Sequence, residues 1–388
     1  MHPTLNWTEA GTECTARWRS ESGMPPPRRV VIADDTMKAD QAYRLACEGT
    51  ALLWRGDFQN AKQLLQAMSR RADRKPRKPV LSSVEGHSVV PGEAFHLHRQ
   101  SQSQRARTLA MILIPLDGDY GIPLRRAPDI RQACIEAYGV GNEPCVASLR
   151  ELLGLVGAHE WRKKGVEIPA LDEATTGARI HPHYGVFSPV RGEYVELVNT
   201  APLPHAFPRP ELAFDIGTGT GVLAAVLARR GIKRIVATDQ DPRALACARE
   251  NIARLGLDAQ VEVVQADLFP AGKAPLIVCN PPWIPARPSS PIEHAIFDPD
   301  SRMLRGFLGG LAEHLEPDGE GWLVLSDIAE HLGLRTREEL LALFESSGLQ
   351  VLERLDVRPH HPKVADGSDP LHAARAAEVT SLWRLAAR

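Results

Sequence analysis

From Leu212 to the C-terminus the sequence alternates short apolar runs with amphipathic ones, and that alternation constrains the fold more than any other feature. Apolar runs at 212–216, 235–238, 261–264, 276–279, 321–325, 350–356 and 378–385 predict seven strands. Between them, helical spacing predicts helices over 222–230, 243–255, 302–315 and 336–346. Regular β-α-β order packs as a mostly parallel sheet with helices on both faces. The last two strands are separated by the His- and Pro-rich segment 358–377, which carries no helical pattern long enough for a crossover. They can therefore pair antiparallel at the sheet edge.

The remainder of the 388 residues is long enough for a second domain. Residues 1–36 mix Pro, Ser, Thr, Glu and Arg without periodicity and end in Pro25-Pro26-Pro27, which reads as a flexible tail. From Asp40 to Trp54 the apolar positions recur near helical spacing. After Gly56, Asp57 can cap a second helix through Leu64, Leu65 and Met68, so a helical hairpin is expected. An apolar run at 109–116 reads as a strand, and helical patterns follow at 127–138 and 147–161. Together, residues 37–183 read as a mainly helical accessory and substrate-recognition domain, and 184–388 as the catalytic domain.

Charge and composition narrow the function. With 46 basic and 48 acidic side chains the net charge is −2, and 43% hydrophobic residues with 24% charged ones exclude collagen-like, disordered and coiled-coil chains. No apolar stretch is long enough to span a bilayer and no signal-peptide layout opens the chain, so a cytoplasmic protein is expected. Six cysteines, Cys14, Cys47, Cys134, Cys145, Cys247 and Cys279, form no C-x-x-C pair and suggest neither disulfides nor zinc. The segment 70–107 is locally basic and could meet a polyanion. Its prolines at 76 and 79, and Phe95 as its single stacking ring, favour a solvated linker.

The chemistry concentrates at strand ends. Asp215-Ile216-Gly217-Thr218-Gly219-Thr220-Gly221 lies where the first strand of the alternating region gives way to a helix, where glycines let backbone approach a ligand and free N–H groups face it. The spacing is G-x-G-x-G, which disfavours the G-x-G-x-x-G of a dinucleotide site. Asp239 closes the next strand and can accept from both hydroxyls of a ribose. Asp267, at the end of the third, can accept from an adenine amine. Directly after the strand 276–279 come Asn280-Pro281-Pro282-Trp283. The prolines hold extended backbone and remove donors, leaving the Asn280 side-chain oxygen and the Pro281 carbonyl to accept the two N–H groups of a planar nitrogen. Trp283 offers a flat face to the rest of such a group.

In these motifs the chain resembles the class I S-adenosylmethionine-dependent methyltransferases with an Asn-Pro-Pro-aromatic motif, over about residues 184–388. Closest in layout are the protein-(glutamine-N5) methyltransferases of release factors, which also place a helical domain first. The resemblance implies a Rossmann-like seven-stranded, mostly parallel α/β sheet. It implies S-adenosyl-L-methionine held by Asp215, Gly217, Thr218, Gly219, Gly221, Asp239, Gln240, Asp267, Leu268 and Asn280. It implies catalysis at Asn280, Pro281, Pro282 and Trp283, with the acceptor contacted by Phe187, Pro189, Pro282 and Trp283. The loop 184–189 resembles the one that closes over cofactor and substrate in that family. Two departures stand out: Trp283 replaces the usual Tyr, and Ser188-Pro189-Val190-Arg191 replaces an arginine-proline-glutamate sequence.

The expected reaction is methyl transfer to a planar nitrogen, most simply a protein glutamine or a related small-molecule amide or amine. An adenine-N6 methyltransferase of nucleic acid is the alternative, opposed by the low basicity. A nicotinamide-dependent oxidoreductase is a third reading, opposed by the glycine spacing. No metal is expected, because His360, His361 and His372 lack Cys partners and i, i+4 helical spacing.

Overall fold

The computed structural model describes residues 3–74, 91–171, 177–204, 211–288, 293, 295–359 and 371–388. They form two compact units, residues 1–89 with 96–160, and residues 90–95 with 161–388. Among the described residues no helix is long and apolar enough to cross a membrane.

The first unit contains β1 (Thr4–Glu9), β2 (Thr12–Arg19), β3 (Arg29–Ala33), α1 (Ala39–Cys47), β4 (Thr50–Trp54), α2 (Phe58–Ala72), β5 (Ile112–Leu116), α4 (Arg131–Tyr138) and β6 (Cys145–Ser148), with α3 (Pro91–Leu109) from residue 96 on and α5 (Leu149–Lys164) up to residue 160. Its helices accompany a six-stranded sheet in the order β1-β2-β6-β5-β4-β3, an organising element that the helical reading of 37–183 did not foresee. Two expectations are corrected. Residues 1–36 are not a flexible tail, because three strands lie there. β1 and β2 form an antiparallel hairpin that buries Leu5 and Trp18, so few apolar residues suffice. Nor is 40–68 a helical hairpin. Gly49 takes the left-handed conformation (φ +78°) that ends α1, and the fully buried run Thr50–Trp54 becomes a strand parallel to both β3 and β5. Part of the basic stretch is paired within this unit: Arg71 bonds Asp40 at 2.6 Å and Arg105 bonds Asp73 at 2.7 Å. Lys75, Arg77 and Lys78 lie outside the described residues.

The second unit begins with a short pair, β7 (Val166–Glu167) and β8 (Arg179–Ile180), followed by α6 (Glu193–Thr200). Then come β9 (Leu212–Ile216), α7 (Val222–Arg229), β10 (Arg234–Asp239), α8 (Pro242–Arg254), β11 (Val261–Gln265), β12 (Ala274–Cys279), α9 (Arg302–His314), β13 (Leu315–Ser326), α10 (Ile328–His331), α11 (Arg337–Ser346), β14 (Leu349–Val357), α12 (His372–Ala377) and β15 (Thr380–Ala387). The seven-stranded sheet runs β11-β10-β9-β12-β13-β15-β14, parallel from β11 to β13, with β15 antiparallel to both its neighbours. The last two strands thus pair antiparallel as expected, and β14 takes the edge. Burial explains the order: β15 is buried through its first six residues, whereas β14 exposes Gln350 to Glu353.

Alternate residues of each strand feed opposite faces. Leu276 and Val278 of β12 join the core with α6 and α7, while Ile277 and Cys279 join the one with α9 and α11. Burial on both faces is why these strands read as unbroken apolar runs. His360 and His361 lie outside the described residues, and His372 opens α12.

Candidate functional site

The connection after β9 leads to β10 on one side, and the chain later returns to β12 on the other. Such a switch of direction opens a crevice beyond the carboxyl ends of the strands, where ligands of open α/β sheets bind. A cavity of about 300 Å³ lies there. Of the residues singled out in the sequence, Gly217, Thr218, Gly219, Asp239, Gln240, Asp267, Leu268, Asn280, Pro282 and Phe187 line it. Asp215, Gly221, Pro281, Pro189 and Trp283 do not.

Asp215 acts from below. It is 1% exposed, and one carboxylate oxygen accepts the Thr218 hydroxyl at 2.6 Å and the Ala224 N–H at 3.1 Å, tying the end of β9 to the turn and to α7. Burial pushes its pKa up to about 6, against the lowering effect of those two donors. Gly217 has φ +71°, a conformation that side chains strain, and a Cβ there would fall 2.3 Å from Met303 Cε and displace that side chain. At Gly221 a Cβ would crowd the backbone of Ala248, fixing how closely α7 approaches α8. Gly219 lines the cavity with nothing within 4 Å of its missing Cβ, which leaves that space to a ligand. Its N–H donates to Asp239 Oδ2 at 3.0 Å, and the Asp241 N–H donates to Oδ1 at 2.9 Å. Two backbone donors leave the Asp239 carboxylate with lone pairs for two hydroxyls. Burial raises the Asp239 pKa.

The wall on the other side departs from the sequence reading. Asp267 is paired with Arg302 at 2.7 Å, both side chains about 60% exposed, so its carboxylate already has a partner. Leu268 sits in the left-handed region (φ +76°), pinned where its carbonyl accepts the Thr238 hydroxyl at 2.6 Å. Asp300 and Ser301 are left-handed as well, and buried Asp298 holds the chain beyond them by accepting the Met303 and Leu304 N–H groups. Met303, Arg302 and Tyr194 line the cavity without having been singled out, and Gly185 and Val186 line it from the 184–189 loop. Only the residues adjoining the Phe187 loop had a local signal. Arg302 and Met303 open α9, and the irregular turn before it, with left-handed Asp300 and Ser301, has no sequence pattern that would have aimed them at the cavity.

At the end of β12, Asn280 lines the cavity while its Oδ1 accepts the Trp283 indole N–H at 2.9 Å. The indole is not a free platform, since it packs against three apolar clusters. The loop bearing Phe187 is fastened at both ends. The His181 N–H donates to Asn251 Oδ1 at 2.7 Å and His183 Nε2 lies 2.7 Å from Glu250. On the other side, Arg191 reaches buried Glu378 at 3.0 Å, and the Ser326 hydroxyl donates to the same carboxylate oxygen. Among the described residues no group of three His, Cys, Asp or Glu side chains could hold a metal ion.

Residues 178–348 match the family model described as methyltransferase small domain. The chain is similar to a ribosomal protein L11 methyltransferase of Sorangium cellulosum, 34% identical over 37% of this chain and 38% of the relative. It is similar to a release factor glutamine methyltransferase of Cereibacter sphaeroides, 34% identical over 42% of this chain and 58% of the relative. A tRNA1(Val) (adenine(37)-N6)-methyltransferase of Bacteroides thetaiotaomicron is 32% identical over 36% of this chain and 62% of its own length. The matches thus span less than two thirds of these relatives.

Proposed function

We propose that this chain is a class I S-adenosylmethionine-dependent methyltransferase that methylates a planar nitrogen, most simply a protein glutamine side chain; the match of residues 178–348 to the methyltransferase small domain and the likeness to a release factor glutamine methyltransferase support the reading. The observation that carries the reading is that Asn280 lines the same cavity as Gly217, Gly219 and Asp239. The residues fit such a cofactor: space is left beside Gly219, and Asp239 keeps lone pairs for ribose hydroxyls. When bound, the cofactor supplies an electrophilic methyl carbon on a good leaving group.

The chain's task is then mostly positional. The glycine turn and Asp239 hold the donor, and Asn280 Oδ1 accepts from the acceptor nitrogen, directing its lone pair along the transfer axis, while Pro281, which does not line the cavity, stiffens the backbone after Asn280. Proximity and alignment of this kind account for up to about 7–11 kcal/mol of barrier in favourable cases. Acceptors placed at the N–H groups also favour the positive charge that develops on nitrogen. Phe187 and Pro282 close the sides and exclude water. Pro189 and Trp283 act from outside the cavity, as do Asp215 and Gly221.

The cytoplasmic setting belongs to the same proposal. Buried free Cys134 and Cys247 have thiols pushed up to about 12 by burial, as suits inert structural cysteines in a reducing compartment. The adenine reading keeps one support, the likeness to the tRNA adenine enzyme. Incubating the chain with tritiated S-adenosylmethionine and cell extract, then treating the labelled product with protease or nuclease, decides between them. Protease-sensitive label supports the protein acceptor, nuclease-sensitive label supports adenine, and no label overturns methyl transfer.

A further inference from the structure

We infer that Trp283 is a positioning residue that selects one of the two orientations of the Asn280 carboxamide through its indole N–H. The inference rests on the reading that Asn280 faces the acceptor nitrogen. Three observations carry it. The Trp283 Nε1 to Asn280 Oδ1 distance is 2.9 Å, and an indole nitrogen only donates, so the atom facing it must be the amide oxygen. The ring is partly buried and packs against three apolar clusters, which restrict the direction of its N–H. Asn280 lines the cavity whereas Trp283 does not, so the indole acts through the carboxamide and not on a ligand.

The need for such a tether follows from the chemistry of a primary amide. Its terminal torsion is broad and roughly two-fold, so a free carboxamide interchanges its oxygen and its NH₂. Only one arrangement presents an acceptor to a nitrogen that carries hydrogens; the other presents a donor and repels it. Among the described residues the indole makes the single hydrogen bond to the Asn280 side chain, so nothing else holds the choice. The intervening Pro281 and Pro282 restrict the backbone between the two residues and keep the tether in register. A phenylalanine would fill the same apolar seat but could not donate. The tryptophan after the two prolines is thus a chemical choice and more than an aromatic filler.

The test uses the full chain. Trp283→Phe should lower kcat by about three- to tenfold, the weight of one hydrogen bond. The Kd for S-adenosylhomocysteine should stay within about twofold, because the cofactor-binding turn is untouched. Rates are read with the extract fraction that the wild type labels. An unchanged kcat, or a parallel weakening of S-adenosylhomocysteine binding, overturns the inference. A second readout does not depend on turnover or on the folding of that variant. In ¹⁵N-tryptophan-labelled protein, which has seven indoles, Asn280→Ala should shift one indole N–H resonance and speed its exchange. Seven unmoved indole signals overturn the tether. If the wild type labels no acceptor, the proposed function fails while the indole spectrum still reports on the hydrogen bond.

Discussion

Asp215→Asn should change how the stability of the second unit depends on pH, in the direction opposite to that of a salt-bridged carboxylate. The side chain is 1% exposed, and burial raises its pKa from the ordinary 3.8 to about 6. Between those values the folded chain holds the proton and the unfolded chain has released it. Stability contributed by this group therefore falls as pH rises through the window, and the cost is complete above about pH 6. Two pKa units correspond to about 3 kcal/mol at neutral pH, of which about 1 kcal/mol develops between pH 5 and 7.5. Asparagine carries no charge at any pH and can still accept from Thr218 and Ala224 through its oxygen. Burying its NH₂ adds a cost, but one that does not vary with pH. Urea unfolding should be followed at several pH values, using the transition that S-adenosylhomocysteine shifts to higher urea. The variant should gain on the wild type by about 1 kcal/mol from pH 5 to 7.5. A difference that stays constant across the range, or shrinks, refutes the raised pKa and with it the view of Asp215 as a buried brace.

Asp239→Ala should weaken S-adenosylhomocysteine binding by about 1–3 kcal/mol, since hydroxyls and the Gly219 N–H lose their acceptor; calorimetry reads this directly. Asn280→Ala should leave that affinity within about twofold while abolishing transfer of tritium, because it removes an acceptor for the substrate nitrogen and not a cofactor contact of comparable weight. Arg384→Ala should destabilise the second unit by about 3–5 kcal/mol in urea, because Glu320, 5% exposed, loses a two-point partner at 2.7 and 2.8 Å. Arg384→Met combined with Glu320→Leu should recover most of that loss.

What could be read in advance divides along a physical line. The central strands of the seven-stranded sheet, such as β12, were legible because they are buried on both faces and so appear as apolar runs, and the glycine turn was legible because Gly217 sits at φ +71° against Met303, which favours glycine. The N-terminal strands escaped notice for the opposite reason. β1 and β2 bury little besides Leu5 and Trp18, and a one-sided hairpin with six- and eight-residue strands resembles polar coil in composition. Thr50–Trp54 was misjudged because its apolar residues continue the helical spacing of α1, and only the left-handed Gly49 marks the change. At the site, residue identity was legible but direction was not. Asp215 and Trp283 are the residues the motif suggests, yet the one points beneath the turn and the other into the core. Arg302, which occupies Asp267, lies 35 residues away and carries no signature.

A common physical device explains why so much of the site consists of residues that touch no ligand. Asp215, Asp298 and Glu378 are each 5% exposed or less, and each holds a segment that borders the cavity or supports it. Asp215 ties the turn to α7, Asp298 holds α9 beyond two left-handed residues, and Glu378 joins the Phe187 loop through Arg191 to the end of β13 through Ser326. A buried carboxylate is costly unless donors saturate it, and saturation demands that those donors come from fixed places. The cost of burial thus enforces geometry: if Gly217, Met303 or Phe187 moved, a carboxylate behind it would lose its partners. Stabilising a transition state requires groups already in position before the reaction begins. These acids supply that rigidity from behind while Asp239 and Asn280 face the cavity.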